Sequence, residues 1–268
     1  MMCHRAGVMT VSGDPIFMPA STSLPELLLA IRRGQLPPPA SVDGALVPAT
    51  EAEAYAVQDT VGRSLGPVGG WKVGASSPDA EPACAPIHTA TIFSDGATVP
   101  ADTCRHLGVE AEIGYRFARA LPPRAAPWTR DEVLDAIGTA HPVIEILDTR
   151  FARPGSLHKL LHAADQQSHG AMIVGPGTTA WRTLDPVRER VVLRINGKVA
   201  VDHIGGNAAG DPLRMLVWLA NHAARRGMGI GAGCVVTTGS TTGTIFVAHG
   251  TDVEASFPAL GPVRAHLA

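Results

Sequence analysis

The chain has 268 residues, 45% of them hydrophobic and 17% charged, with a formal net charge of −2. That length suits one large domain, or one domain with a small helical appendage, around a sizeable core. The charge balance lacks the basic excess of a nucleic-acid footprint, and no apolar run reaches the roughly 18 residues that a membrane span needs. Met1-Met2-Cys3-His4-Arg5 opens no signal-peptide core, and Cys3, Cys84, Cys104 and Cys234 lack CxxC spacing. The expectation is therefore a cytoplasmic protein with free thiols, bound neither to membrane nor to nucleic acid.

In chain order, residues 1–20 read as a loose tail, with Met9 as an alternative start. Leu24 to Arg33 carries helical spacing and stops at Gly34, before the Pro37-Pro38-Pro39 linker. Thr50-Glu51-Ala52-Glu53 resembles a capping box that opens a helix reaching about Leu65. Residues 21–68 thus form an N-terminal helical part. A Gly/Pro-rich stretch then leads into a β-rich domain over 69–268. Val99, Val109 to Phe117, Val143 to Leu147, Ala171 to Val174, Val191 to Ile195, Val199 to Val201, Val235 to Thr238 and Asp252 to Phe257 read as strands. Asn196-Gly197 reads as a hairpin turn, which places Lys198 in solvent. Asp131 to Ile137, after a Thr129 cap, and Pro212 to Arg225 read as helices. Strands with a few helices, rather than regular βαβ units, give an α+β class.

Three glutamates carry the chemistry. Glu110 and Glu112 stand in Val109-Glu110-Ala111-Glu112-Ile113, where strand alternation points both to one face. Glu145 stands in the apolar run Val143-Ile144-Glu145-Ile146-Leu147, which reads as a buried strand. Carboxylates in such surroundings need a compensating cation. With no His or Cys at ligand spacing, the set suits Mg²⁺ or Mn²⁺. The alternative is that Glu110 and Glu112 lie on the wet face of an amphipathic strand.

Only three lysines occur, Lys72, Lys159 and Lys198, in a chain that otherwise uses arginine. Lys72, in Gly70-Trp71-Lys72-Val73-Gly74, can do what arginine cannot, which is to lose its proton when desolvated. It reads either as a proton shuttle beside the metal or as a lysine snorkelling from a strand end. Thr237-Thr238-Gly239-Ser240-Thr241-Thr242-Gly243 offers hydroxyls and backbone N–H groups to a carboxylate, or is a plain loop. His158 and His162 have helical spacing without the glutamate of a zinc-protease motif. The alternating glycines from Gly227 to Gly233 follow a helix and precede a strand, the reverse of a dinucleotide fingerprint.

In order, Gly70-Trp71-Lys72-Val73-Gly74, Val109 to Ile113, Ile144-Glu145-Ile146-Leu147-Asp148-Thr149-Arg150-Phe151 and Ala232 to Ser240 resemble signature segments of one group. This is the 2-keto-4-pentenoate hydratase/4-oxalocrotonate (2-oxo-3-hexenedioate) decarboxylase group of the fumarylacetoacetate hydrolase superfamily. Glu53-Ala54-Tyr55-Ala56-Val57-Gln58 is similar to that group's N-terminal helix, so the resemblance runs over about residues 24–268. It implies a mixed β-sandwich or roll with a small N-terminal helical part, a homo-oligomer, and assembly alone or with a related pathway enzyme.

The resemblance implies a hydratase of aromatic meta-cleavage catabolism. Water adds to a 2-hydroxydienoate or 2-oxo-3-enoate through a metal-stabilised enolate, giving a 4-hydroxy-2-oxo acid. Glu110, Glu112 and Glu145 then hold the metal, and Lys72 and Asp165 are catalytic. Thr238, Gly239, Ser240 and Arg150 bind substrate. Two departures stand out. Gln166 follows Asp165 where the group has Asn, and Pro86-Ile87-His88 stands where hydratases carry an Asp-centred segment. Cys234 replaces a common acidic residue and receives no role. The alternatives are a 2-oxo-enedioate decarboxylase, with Arg150 for the second carboxylate, an acylpyruvate-type C–C hydrolase, or a non-catalytic partner subunit.

Overall fold

The computed structural model describes residues 22–268, together with the backbone of residues 7–9 and 15–17. Its first elements in chain order are β1 (Gly7–Met9), β2 (Pro15–Phe17), α1 (Leu24–Arg32), α2 (Glu51–Gly62), β3 (Val68–Gly74) and β4 (Ala83–His88). There follow β5 (Ile92–Ser94), β6 (Ala97–Val99), β7 (Leu107–Phe117), α3 (Arg130–Ala136) and β8 (Ile137–Leu147). Then come α4 (Lys159–Ala164), β9 (His169–Val174), β10 (Arg190–Ile195), β11 (Lys198–Ile204) and α5 (Pro212–Arg225). The last are β12 (Val235–Thr237), β13 (Ile245–Val247), β14 (Thr251–Phe257) and β15 (Gly261–Leu267). Within the expected tail, β1 and β2 pair antiparallel; the rest of residues 1–21 lies outside the described residues. Among the described residues no helix is long and apolar enough to cross a membrane.

The chain divides into two compact units. The first comprises Met1–Gly66 and Asp148–His169. Ser23 and Glu26 form a capping box at the start of α1, which buries Leu24, Leu27, Leu28 and Ile31 at helical spacing. The Thr50 side chain accepts from the Glu53 N–H at the start of α2. That helix ends at Gly62, short of Leu65, because the Ser64 and Leu65 N–H groups turn back to the Val61 and Gly62 carbonyls. Residues 148–169, placed by sequence in the β-rich domain, belong to this unit. The reason is packing: Phe151, Leu160, Leu161 and Ala164 share one buried cluster with Leu27, Leu28, Ala54 and Val61.

The second unit comprises Pro67–Leu147 and Gly170–Ala268 and holds two mixed sheets. The larger has eight strands, ordered β4-β3-β12-β7-β8-β9-β5, with β13 also on β7. The smaller has five, ordered β11-β10-β14-β15-β6, and its β14 and β15 pack against β8. The β12–β3, β15–β6 and β5–β9 pairs are parallel, while β7–β8 and β12–β7 are antiparallel. Asn196 and Gly197 take positive φ angles of 49° and 75° between β10 and β11, as a type I′ hairpin turn requires. Thr129 and Glu132 cap α3, and the Asp211 side chain accepts from the Leu213 N–H to start α5. Strands β4 and β15, absent from the sequence reading, each contain a proline. Pro86 is tolerated because β4 is a sheet edge, and Pro262 because β6 pairs only with residues 265–267 of β15.

Candidate metal centre

The register of β7 against β8 sets Glu110 directly opposite Glu145. Side chains of such a pair leave the sheet about 5 Å apart, and Glu112 joins them from the same face of β7. One carboxylate oxygen from each of the three lies within 4.8 Å of the others. Glu112 is 2% exposed and Glu145 1%, whereas Glu110 lies partly open. Ala111 and Ile113 on the opposite face of β7 are buried as well. Glu110 and Glu112 therefore do not occupy the wet face of an amphipathic strand.

Lys72 reaches this group from β3, two strands away. In the parallel register β12 sets Thr237 beside Lys72, and in the antiparallel register beside Gly114 of β7. Lys72 Nζ then lies 2.6 Å from Glu145 Oε1. Three carboxylates and one ammonium carry a formal charge of −2. Oxygen-only ligands of that net charge fit a hard divalent cation. Burial and mutual repulsion raise two of the three carboxyls. Burial, then Glu145 and Glu110, push the Glu112 carboxyl well above the usual carboxylate range, against the pull of Lys72 and the Gly239 N–H. Burial and Glu145 raise the Glu110 carboxyl, against Lys72 and the Thr244 hydroxyl.

Residues 238–244 run along β7 between β12 and β13 and clamp it by hydrogen bonds. The Gly239 N–H donates to Glu112 Oε2 at 2.9 Å, a charge-assisted bond. Thr238 Oγ1 donates to the Ile113 carbonyl at 2.9 Å, and Thr241 Oγ1 to the Ala111 carbonyl at 2.7 Å. Thr242 Oγ1 accepts from the Ala111 N–H at 3.0 Å, and the Thr244 hydroxyl donates to Glu110 Oε1. Asn207 Nδ2 holds the loop by donating to the Thr238 carbonyl at 2.9 Å. Gly239 has φ +99°, a backbone conformation that side chains rarely adopt. Thus Thr238 and Gly239, expected to bind substrate, direct a proton each into the protein. Half-buried Ser240 accepts from the Thr242 N–H at 3.3 Å.

Asp165 and Arg150 lie in the first unit and bond to each other. Arg150 Nε is 2.8 Å from Asp165 Oδ1, and the Arg150 N–H donates to Asp165 Oδ2 at 2.9 Å. Arg32, from α1, adds a 2.9 Å ion pair to the same carboxylate. The terminal nitrogens of Arg150 donate to the Asp148 and His169 carbonyls and to the Asp148 carboxylate. Cys234 is buried, and that burial pushes its thiol up in pKa.

Thr237, Asn207, Thr242 and Thr244 were not singled out individually from sequence. Thr237 is fully buried, and its hydroxyl has no hydrogen-bond partner among the described residues. The signal that pointed at this region was the run of Thr, Ser and Gly itself.

Residues 65–268 match the family model for the fumarylacetoacetate (FAA) hydrolase C-terminal region. The chain is 30% identical over 172 residues to the 2-keto-4-pentenoate hydratase of Paraburkholderia xenovorans (strain LB400), covering 64% of this chain and 63% of that protein. It is also 30% identical over 172 residues to a 4-oxalocrotonate decarboxylase of Pseudomonas putida, with 64% of each covered. These matches span just under two thirds of either relative's length. Among solved structures, the 4-oxalocrotonate decarboxylase of Pseudomonas putida G7 complexed with magnesium and adipate superposes with a TM-score of 0.79. That alignment is 26% identical and covers 91% of this chain and 97% of the other. This chain belongs to the fumarylacetoacetate hydrolase family.

Proposed function

We propose that the protein is a divalent-metal-dependent hydratase that converts a 2-hydroxydienoate or 2-oxo-3-enoate into a 4-hydroxy-2-oxo acid. The observation that carries this reading is the convergence of Glu110, Glu112 and Glu145 within 4.8 Å, with Lys72 bonded to Glu145. These carboxylates are the proposed ligands of Mg²⁺ or Mn²⁺. A cation bound there supplies Lewis-acid stabilisation of the charge that develops on the 2-oxo oxygen of the substrate. The magnesium in the decarboxylase relative supports the choice of metal.

The remaining roles fall to the chain's own groups. Lys72, 14% exposed and held by Glu145, donates or accepts the proton that moves next to the ketone. Ser240 fixes the substrate carboxylate, with the loop held in shape by Thr238 and Gly239. Asp165 and Arg150 act indirectly, as a pair that orders residues 148–169. The decarboxylase reading stays second, supported by the equal identity to a 4-oxalocrotonate decarboxylase and by Pro86-Ile87-His88, which ends β4 where the resemblance puts an Asp-centred segment in hydratases. The protein is proposed to work in the cytoplasm as a homo-oligomer.

The test is an ultraviolet assay of metal-stripped protein on 2-hydroxypenta-2,4-dienoate, with and without Mg²⁺. Mg²⁺-dependent loss of the dienol with 4-hydroxy-2-oxopentanoate as product supports the hydratase. Turnover of 2-oxo-3-hexenedioate with CO₂ release, and none of the dienoate, moves the assignment to decarboxylase.

A further inference from the structure

Among the described residues four large apolar side chains stand exposed, and Phe246, at 54%, is the aromatic one. Its position ties it to the carboxylates. β13 pairs with β7 in the register Phe246 opposite Gly108, and β8 pairs with β7 in the register Leu147 opposite Gly108. Paired residues share a face of the sheet, and Gly108 shares its face with Glu110, two residues on. A Cβ placed on Gly108 would lie 2.9 Å from the Phe246 ring, 2.8 Å from the Thr244 methyl and 3.2 Å from Leu147 Cβ. Three side chains therefore close over a residue that has none, and they form an apolar shelf beginning where the carboxylates end.

The same face is closed in the opposite direction. Val143, paired with Glu112, and Val235 close over Gly114, where a Cβ would meet them at 2.7 and 3.2 Å, and both are buried in a cluster with Ile87, Met172 and Val174. A chain leaving the carboxylate cluster along this face runs over Gly108. Residues i and i+2 of a strand are about 7 Å apart, so the outer carbons of a six-carbon acid whose 2-oxo head sits at Glu110 come within van der Waals contact of the shelf.

We infer that Phe246 and Leu147 form the subsite for the substrate tail, and that this subsite favours an apolar tail over one ending in a second carboxylate. The inference rests on the proposed metal centre. Its physical basis is that positions 108, 147 and 246 bring two hydrocarbon surfaces and no cation, so a carboxylate laid there loses hydration without compensation. An alkyl tail instead gains by leaving water.

The test is calorimetry on Mg²⁺-loaded protein with pyruvate, 2-oxohexanoate and 2-oxoadipate. All three carry the same head, and the last two have equal length. 2-Oxohexanoate is expected to bind about tenfold tighter than 2-oxoadipate. Phe246→Ala is expected to lower the ratio of 2-oxohexanoate to pyruvate affinity about tenfold, and Phe246→Arg to reverse the preference between the two six-carbon acids. Equal or tighter binding of 2-oxoadipate by the wild type overturns the inference. So does an unchanged ratio in Phe246→Ala, with a changed oligomeric state identifying Phe246 as a subunit contact instead. Failure of pyruvate to bind at all removes the metal-centre reading, and the inference with it.

Discussion

Lys72 Nζ and Glu145 Oε1 lie 2.6 Å apart at the centre of the carboxylate group. The same ammonium that compensates the glutamates thereby competes with a cation for Glu145. Lys72→Met is expected to lower turnover by about 10²–10⁴, the usual worth of a positioned proton-transfer group, while Mg²⁺ affinity stays equal or rises. Lys72→Arg is not expected to rescue turnover, because a guanidinium keeps its proton. Steady-state kinetics beside calorimetry on each variant check this. Loss of Mg²⁺ binding in Lys72→Met would contradict the opposed effects.

Asp165 is fully buried between two guanidiniums, those of Arg150 and Arg32. Burial and the neighbouring Arg150 lower the Arg32 pKa to about 10, against the pull of Asp165. Asp165→Asn removes the carboxylate that both cations share and leaves Arg150 only that of Asp148 at 3.3 Å, which costs about 3–5 kcal/mol in a buried network. Urea denaturation monitored by circular dichroism reads the loss. A variant as stable as the wild type would show that the pair does not hold this unit.

His222 stacks on Trp218, with ring centroids 4.3 Å apart. Burial, reinforced by Arg226 and Arg225, lowers its pKa to about 4. In the unfolded chain the imidazole protonates near pH 6.5, and in the folded protein only near 4. The group costs nothing above about pH 6.5 and destabilises increasingly as pH falls toward 4. With solvent screening of the partly exposed ring, the loss at pH 4 is about 1–2 kcal/mol. Urea midpoints measured from pH 7 to 4.5 are expected to fall less steeply in His222→Gln than in wild type. Parallel slopes would contradict the assignment.

A Cβ on Gly70 would stand 2.6 Å from the Val235 carbonyl oxygen and 3.0 Å from Met172 Cε. The first neighbour is backbone of β12 and cannot rotate away. Gly70→Ala is expected to cost about 1–3 kcal/mol and to lower activity, since it pushes apart the strands that set Lys72 beside Thr237. Thermal melting and the dienoate assay on one preparation test both effects.

Some of this was legible in the sequence. The period-two spacing of Glu110 and Glu112, and the apolar surroundings of Glu145, follow from strand alternation and the cost of a buried charge. Helix α5 was legible with the bounds it has, because Asp211 caps it and its buried positions recur every three or four residues. The register that sets Glu110 against Glu145 was not, since strand pairing between distant segments depends on the whole sheet. Pro86 and Pro262 hid β4 and β15, whose placement at an edge or beyond a short neighbour makes proline harmless. Asp165 was placed near the chemistry by resemblance. Its partnership with Arg32 depends on how α1 packs, which no local pattern encodes. Thr237 ends a strand and Thr244 lies just past the Thr/Ser/Gly run, and only the register of β12 and the course of the following loop along β7 separate them from the other hydroxyls.

The most direct measurement is calorimetric titration of Mg²⁺, paired with Mn²⁺ spin resonance, on metal-stripped wild type and Glu112→Gln. One site per chain is expected in the wild type. Proton release should accompany binding, because the raised Glu112 carboxyl must ionise to act as a ligand. Affinity is expected to fall at least about 100-fold in Glu112→Gln, with the fold intact. A folded wild-type protein that binds neither ion, or a Glu112→Gln variant that binds both as tightly, would contradict the metal centre formed by Glu110, Glu112 and Glu145.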